Sequence, residues 1–499
     1  MKPIFVYPLA LCFGTAIVAF PAQAQMGGMD MGGAPAATPT PEKPMDHSQM
    51  DHSKMNHEGM NHEAMGHTMR STTDVAVSMS RESSGTAWQP DSSPMYMAMK
   101  MRGRDQLALH GTFYPRYTTI GGNRDVSVAG QGGTSRFDAP SMLMGMYVHP
   151  LDKSDMPRSQ LGIRAMLSAD PLIERGYGYP LLFQSGEVYK GQPLHDRQHP
   201  HDLFSELSVT YSRRVGSKQS AYLYLGYPGE PALGPPTFMH RISGMDFADA
   251  PLSHHWQDST HITFGVATLG YNFGKFKLEG SSFNGREPDE NRYNFDTMRL
   301  NSYSGRLSWN PTRDVALQVS HGFLKSPETS HPDENQHRTT ASILYNHSLG
   351  EDANLATAFV YGQNAISGES TTHAYTLETA LQKQKNTVFL RAEHVQKTGE
   401  ELVLNPADAG NIYGINALSI GYVRDLSHGK GVDVGLGIQG TFADGPSGLN
   451  SYYGSGVYKG FQVFFRIRPS RMKMNGMGMT GMGSMDGASN MGDMPMTGK

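Results

Sequence analysis

The feature that most constrains this chain is the wiring of its middle region, where short and long polar connections take turns between apolar-polar runs. Short connections fall at 216–217, 272–274, 310–312, 349–351, 383–385 and 428–430, and long ones at 228–258, 286–298, 324–336, 364–370, 397–410 and 443–456. The runs between them alternate with period two, which sends successive side chains to opposite faces of a strand. In 432–439, Val432, Val434, Leu436 and Ile438 share one face, and Asp433, Gly435, Gly437 and Gln439 the other. Segments 161–167, 275–280 and 461–468 repeat the pattern, with Arg164, Lys277, Glu279, Arg466 and Arg468 on the polar face. A charge facing lipid costs about 2–4 kcal/mol near mid-bilayer, so these residues must point into a lumen. The pattern predicts an all-β, transmembrane, up-and-down antiparallel β-barrel over 102–471. Counting back from a last strand at 457–468 gives about sixteen strands, the first at 105–117. A soluble sandwich needs no such number of strands in up-and-down order, and a propeller repeat of about 40 residues is missing.

Composition agrees where it bears on this. Only 38% of residues are hydrophobic, as expected of a barrel that needs apolar side chains at alternate positions only. The formal charge of −4 and the lack of a Lys/Arg-rich face exclude a nucleic-acid partner. At the N-terminus, Met1 and Lys2 precede an apolar run to Phe20, and Ala22, Gln23 and Ala24 form a small-x-small cleavage site. Residues 1–24 are therefore expected to be an export signal; Pro8, Gly14 and Pro21 argue against a membrane-anchoring helix. The one cysteine, Cys12, lies inside that signal, which removes thiol ligands and thiol nucleophiles from the mature chain. The expected location is the outer membrane, in contact with its lipid, with both terminal arms in the periplasm.

Those arms are unlike the middle. Residues 25–101 and 472–499 are rich in Met, Gly, Ser and Pro and nearly devoid of aliphatic residues, so both are expected to be disordered. Of 32 methionines, 14 lie in the first arm and 9 in the second, where no core exists for them to fill. Within the first arm Met45, Met50, Met55, Met60 and Met65 recur in phase with His47, His52, His57, His62 and His67, and Met69 follows. A five-residue period fits neither helix nor strand. It fits a flexible ladder that wraps a thioether and an imidazole onto one ion; thioether selects Cu(I) or Ag(I), and imidazole suits Cu(II).

On these elements the chain resembles the copper-resistance outer-membrane proteins of the copper-resistance protein B type, which join a Met/His-rich leader to a β-barrel. The resemblance lies in residues 45–69 and in the architecture; the Met-rich tail departs from it. It implies copper handling or tolerance, with soft metal ions as cargo and periplasmic copper carriers as candidate partners.

Two further groups could carry metal. Met95, Met97, Met99 and Met101 alternate with other residues, so in an extended chain they form either a thioether stripe entering the barrel or an edge that faces lipid or packs a plug, with an echo at Met142, Met144 and Met146. His195, His199 and His201 stand with Asp196 and Asp202 around Pro200. They end one long connection, and the next carries His240, His254 and His255; both are long enough to fold inward. Such a set suits a borderline divalent ion, or it is an ordinary solvated loop. No nucleophile elbow, zinc-protease signature or phosphate-binding loop occurs, so no enzymatic activity is expected. The rival to copper handling is a general or solute-specific diffusion channel whose arms only buffer metal.

Overall fold

The computed structural model describes residues 69–472 apart from Asp155, Glu351 and Glu369; the signal, the ladder at 45–67 and the tail from residue 473 lie outside the described residues. The strands in chain order are β1 (Met97–Arg102), β2 (Asp105–Phe113), β3 (Arg116–Thr119), β4 (Ser135–Asp138), β5 (Ser141–Pro150), β6 (Ser159–Leu167), β7 (Tyr179–Tyr189), β8 (Gln192–Gln198), β9 (Phe204–Gly216) and β10 (Gln219–Gly226). They continue as β11 (Val266–Phe273), β12 (Phe276–Phe283), β13 (Ser302–Thr312), β14 (Val315–Lys325), β15 (Asn335–Ser348), β16 (Ala353–Ile366), β17 (Thr372–Lys383), β18 (Asn386–Thr398), β19 (Ile412–Ser427), β20 (Val432–Asp444) and β21 (Tyr458–Pro469). The first wall strand is β2 continued by β3, and the second is β4 continued by β5. β6 and then β9 to β21 follow, each antiparallel to the last, and β21 returns to β3 and to Phe113 of β2. The result is a closed barrel of sixteen strands, as the connection pattern predicts. β7 and β8 form a separate hairpin inside the first long connection.

The alternation read from the sequence is the alternation of the wall. Leu107, Leu143, Ile163, Leu269, Leu278, Ile343, Val388, Leu436 and Phe465 are exposed on the outer face, whereas Arg164, Lys277, Glu279, Arg306, Glu378, Arg391 and Arg466 are buried on the inner one. At the short-turn rim Phe273, Phe276 and Trp309 stack in a row with centroids 5.4 Å apart, an aromatic girdle of the kind found where a barrel wall meets the headgroup layer. Among the described residues helix is confined to short turns such as His254–Gln257.

The lumen is occupied. Three segments enter it: residues 70–96, the connection 168–203 and the connection 227–265. Trp256 is wholly buried and its indole N–H donates to Thr372 Oγ1 at 2.8 Å. Inner-wall charges hold the inserted chain. Glu378 accepts from Arg241 Nε and from Arg391 Nε, each at 3.0 Å, and Arg466 and Arg468 grip Asp246.

The expectation of a disordered arm reaching residue 101 needs correction from Met69 onward. Residues 70–96 lack apolar side chains for a core of their own, but the wall meets their polar groups. The Val75 N–H donates to Ser212 Oγ at 2.9 Å, Gln160 Nε2 to the Ser71 carbonyl at 2.6 Å and Asn310 Nδ2 to the Gln89 carbonyl at 3.0 Å. Order comes here from hydrogen bonds to a preformed surface, which composition does not report. The tail also begins ordered: the Met472 N–H donates to the Met95 carbonyl at 2.8 Å.

Candidate metal centres in the lumen

The inserted segment leaves the lumen at Tyr96, whose ring lies under the Arg468 guanidinium at 3.8 Å, and joins the wall as β1. There β1 pairs with β2 in the register Met97↔His110 and Met99↔Ala108. β2 pairs with β5 as His110↔Met144 and Ala108↔Met146, and β5 with β6 as Met144↔Met166. One row across four strands therefore reads Met97, His110, Met144, Met166, with Met99 and Met146 in the row below. Period two puts all of these on the inner face, so the stripe expected at 95–101 faces the lumen and not the lipid.

The loops complete a chamber. Met69, Met79, Met95, Met142, Met144, Met146 and Met166 are buried together, and Met97, Met99, Met239 and Met472 pack against them. A cavity of about 60 Å³ opens between Met79, Met95, Met97, Met144, Met146, His110 and His240. His110 Nδ1 donates to the Tyr96 carbonyl at 2.8 Å, which leaves Nε2 with its lone pair. The His110 and His240 rings lie 5.6 Å apart, and His240 Nε2 is buried without a partner. Met101, at 45% exposed, continues the inward face of β1 but sits at the open end of the stripe.

The second expected group divides. His195 bonds Asp196 at 2.9 Å and stays outside any ring cluster. His199 and His201 do meet the next connection, which supplies His254, His255 and His261. Centroids lie 5.5 Å apart for His199 and His255, 5.3 Å for His201 and His261, and 5.1 Å for His254 and His261. Burial first, and then the neighbouring imidazoles, pushes His199, His255 and His261 well below the ordinary imidazole range. The shift favours the neutral imidazole, which is the ligand-competent form.

Sequence reasoning missed His110, His261, Met79, Met166 and Met239 as members of these groups. Met79 and Met166 stand alone in the sequence, and His261 belongs with His254 and His255 only through loop geometry. His110, by contrast, sits on the inner face of a strand that alternates visibly. Among the described residues, the only His and carboxylate groups with three ligand atoms within 4.8 Å are Asp425, His428 and Asp433. These are already engaged: Asp425 accepts from Arg466 at 2.7 Å and Asp433 from Ser470 Oγ at 2.6 Å, so the group ties a short turn to β21.

Comparison of the sequence with known protein families and with curated proteins finds no match. In fold the chain is similar to several solved structures. An anion-selective porin from Comamonas acidovorans aligns over 73% of this chain and 99% of its own at 12% identity and a TM-score of 0.41. Pseudomonas putida OprB aligns over 73% and 94% at 9% identity and a TM-score of 0.44. The outer membrane channel DcaP of Acinetobacter baumannii aligns over 73% and 97% at 11% identity and a TM-score of 0.40.

Proposed function

We infer that this outer-membrane barrel handles copper without enzymatic chemistry: the Met/His ladder at 45–67 captures the ion, and the thioether chamber takes it into the lumen as Cu(I). The observation that carries this reading is the gathering of eleven methionines in one chamber, six of them (Met97, Met99, Met142, Met144, Met146 and Met166) on neighbouring wall strands and the rest from the inserted segments and the tail. The other buried apolar clusters of the lumen are built from aromatic and aliphatic side chains; a cluster made almost wholly of thioethers suits soft-metal ligation. His110 and His240 add two imidazoles at the chamber's inner end. A periplasmic copper carrier is the natural donor to the arm on this reading.

The test uses the full-length chain with Met97, Met144 and Met146 each replaced by leucine. Leucine conserves volume and costs under about 1.5 kcal/mol per site, so the barrel should fold while the thioethers are lost. Ag(I), a redox-silent stand-in for Cu(I), should bind with fewer equivalents and at least tenfold more weakly in that remaining site. Unchanged Ag(I) binding removes the chamber from the reading. Planar-bilayer conductance tests the diffusion channel separately: a steady open pore in the intact protein favours it, and a closed barrel disfavours it.

A further inference from the structure

The long-loop half of the lumen holds the imidazole cluster, and its hydrogen bonding has a direction. His201 Nδ1 meets Asp170 Oδ2 at 2.7 Å, His254 Nδ1 meets Asp258 Oδ1 at 2.6 Å, and His261 Nδ1 meets the Asp258 carbonyl at 3.1 Å. Each partner is an oxygen that accepts, so each Nδ1 carries the proton and each Nε2 keeps a lone pair. Carboxylates and carbonyls orient metal-binding histidines in this way. His261 is 6% exposed and its Nε2 is buried without a partner, as is that of the adjoining His255. A buried acceptor left without a donor is unfavourable unless something else meets it.

We propose that His201, His254 and His261 form a binding site for one borderline divalent cation of the Zn(II) or Cu(II) class, with His199 and His255 flanking it. Two imidazoles on a tetrahedral ion, with metal–nitrogen distances of about 2.0 Å, stand with ring centroids about 5 Å apart. His254 and His261, at 5.1 Å, and His201 and His261, at 5.3 Å, match that spacing. The three ligand nitrogens stand farther apart than the ligand atoms of the Asp425 group, so ligation would require the rings to close together, pivoting at the Nδ1 hydrogen bonds that hold them. Asp170 stands behind His201, and Asp258, which also pairs with Arg241, stands behind His254. The ligand set is nitrogen, where the chamber at the short-turn end is sulfur, and the proposal holds whether or not that chamber carries copper.

The experiment uses full-length protein in detergent with His47, His52, His57, His62 and His67 changed to alanine, so that the arm does not compete. Equilibrium dialysis should find one Zn(II) bound tightly, with an X-ray absorption signature of three nitrogens. Adding His254→Ala and His261→Ala should weaken that equivalent at least tenfold, and His261→Gln, which keeps polarity but not the ligand geometry, should not restore it. Ag(I) binding should be unaffected by these changes, whereas the methionine variants should do the reverse. Zn(II) binding that is missing in the parent, or unchanged by the paired substitution, overturns the proposal. Should the paired variant fail to fold, the absorption spectrum of the parent decides: fewer than three nitrogens around zinc also overturns it.

Discussion

Replacing Glu378 by alanine should unlatch the largest inserted connection from the wall. Its carboxylate is wholly buried and accepts from Arg241 Nε at 3.0 Å, Arg241 Nη2 at 3.1 Å, Arg391 Nε at 3.0 Å and Ser243 Oγ at 3.3 Å. Arg391 belongs to β18 and Arg241 to the connection 227–265, so the carboxylate is the bridge between wall and plug. Removing one partner of a buried ion pair costs about 3–5 kcal/mol, because the remaining charge is left uncompensated. Arg241 keeps Asp258 at 2.5 Å and Arg391 keeps the Asp249 carbonyl at 3.2 Å, which places the cost at the low end, about 3 kcal/mol. At 1.4 kcal/mol per factor of ten, that raises the population of the released connection roughly 150-fold. Between 227 and 265 the only tryptic site follows Arg241, so cleavage there reports release directly, and bilayer recordings should show openings that the parent lacks. Glu378→Gln, which keeps the shape and one acceptor oxygen, should fall between the two. Parental protection of Arg241 together with parental conductance in the alanine variant refutes the claim that this network latches the plug.

A second latch is steric. A Cβ on Gly162 would stand 1.8 Å from the Thr72 carbonyl oxygen, so Gly162→Val should leave the β6 strand intact but push residues 70–96 off the wall, exposing Arg81 to trypsin; unchanged protection of Arg81 refutes this. The two arms should differ in pH dependence, because the ladder at 45–67 pairs each methionine with a histidine and the tail after 472 has no histidine. Imidazole, with a reference pKa of about 6.5, must be neutral to bind, whereas thioether has no proton to lose. Cu(II) binding by a 45–68 peptide should therefore be present at pH 7.5 and fall at least tenfold by pH 5, whereas a 473–499 peptide should bind Cu(I) equally at both and ignore Cu(II). A steep pH dependence in the tail peptide, measured by competition with a chromogenic chelator, argues against this division.

How much of this was legible in the sequence depended on whether the information was periodic. The wall was: Asp433 against Val432 and Val434, or Lys277 between Phe276 and Leu278, states its own facing. The stripe at Met95, Met97 and Met99 was legible for the same reason, once β1 was taken as extended. What periodicity could not report was contact between distant segments. Residues 70–96 read as low-complexity chain because their order depends on Ser212, Gln160 and Asn310, far off in sequence. The division of the histidines, with His195 excluded and His261 included, is likewise set by how two long connections meet. No local pattern encodes it.

The way β1 enters the wall ties the inserted segment to the barrel's seam. β21 is paired in register with β2 only at Phe113, and below it the edge of β2 is taken by β1 from His110 to Asp105. The seam of the cylinder is therefore a three-way splice, and one of its members is the end of the inserted segment. The end of β21 holds the same segment: Tyr96 bridges Arg471, and the Met472 N–H donates to the Met95 carbonyl. The join that closes the cylinder and the hem that fastens residues 70–96 to it are thus one piece of stitching.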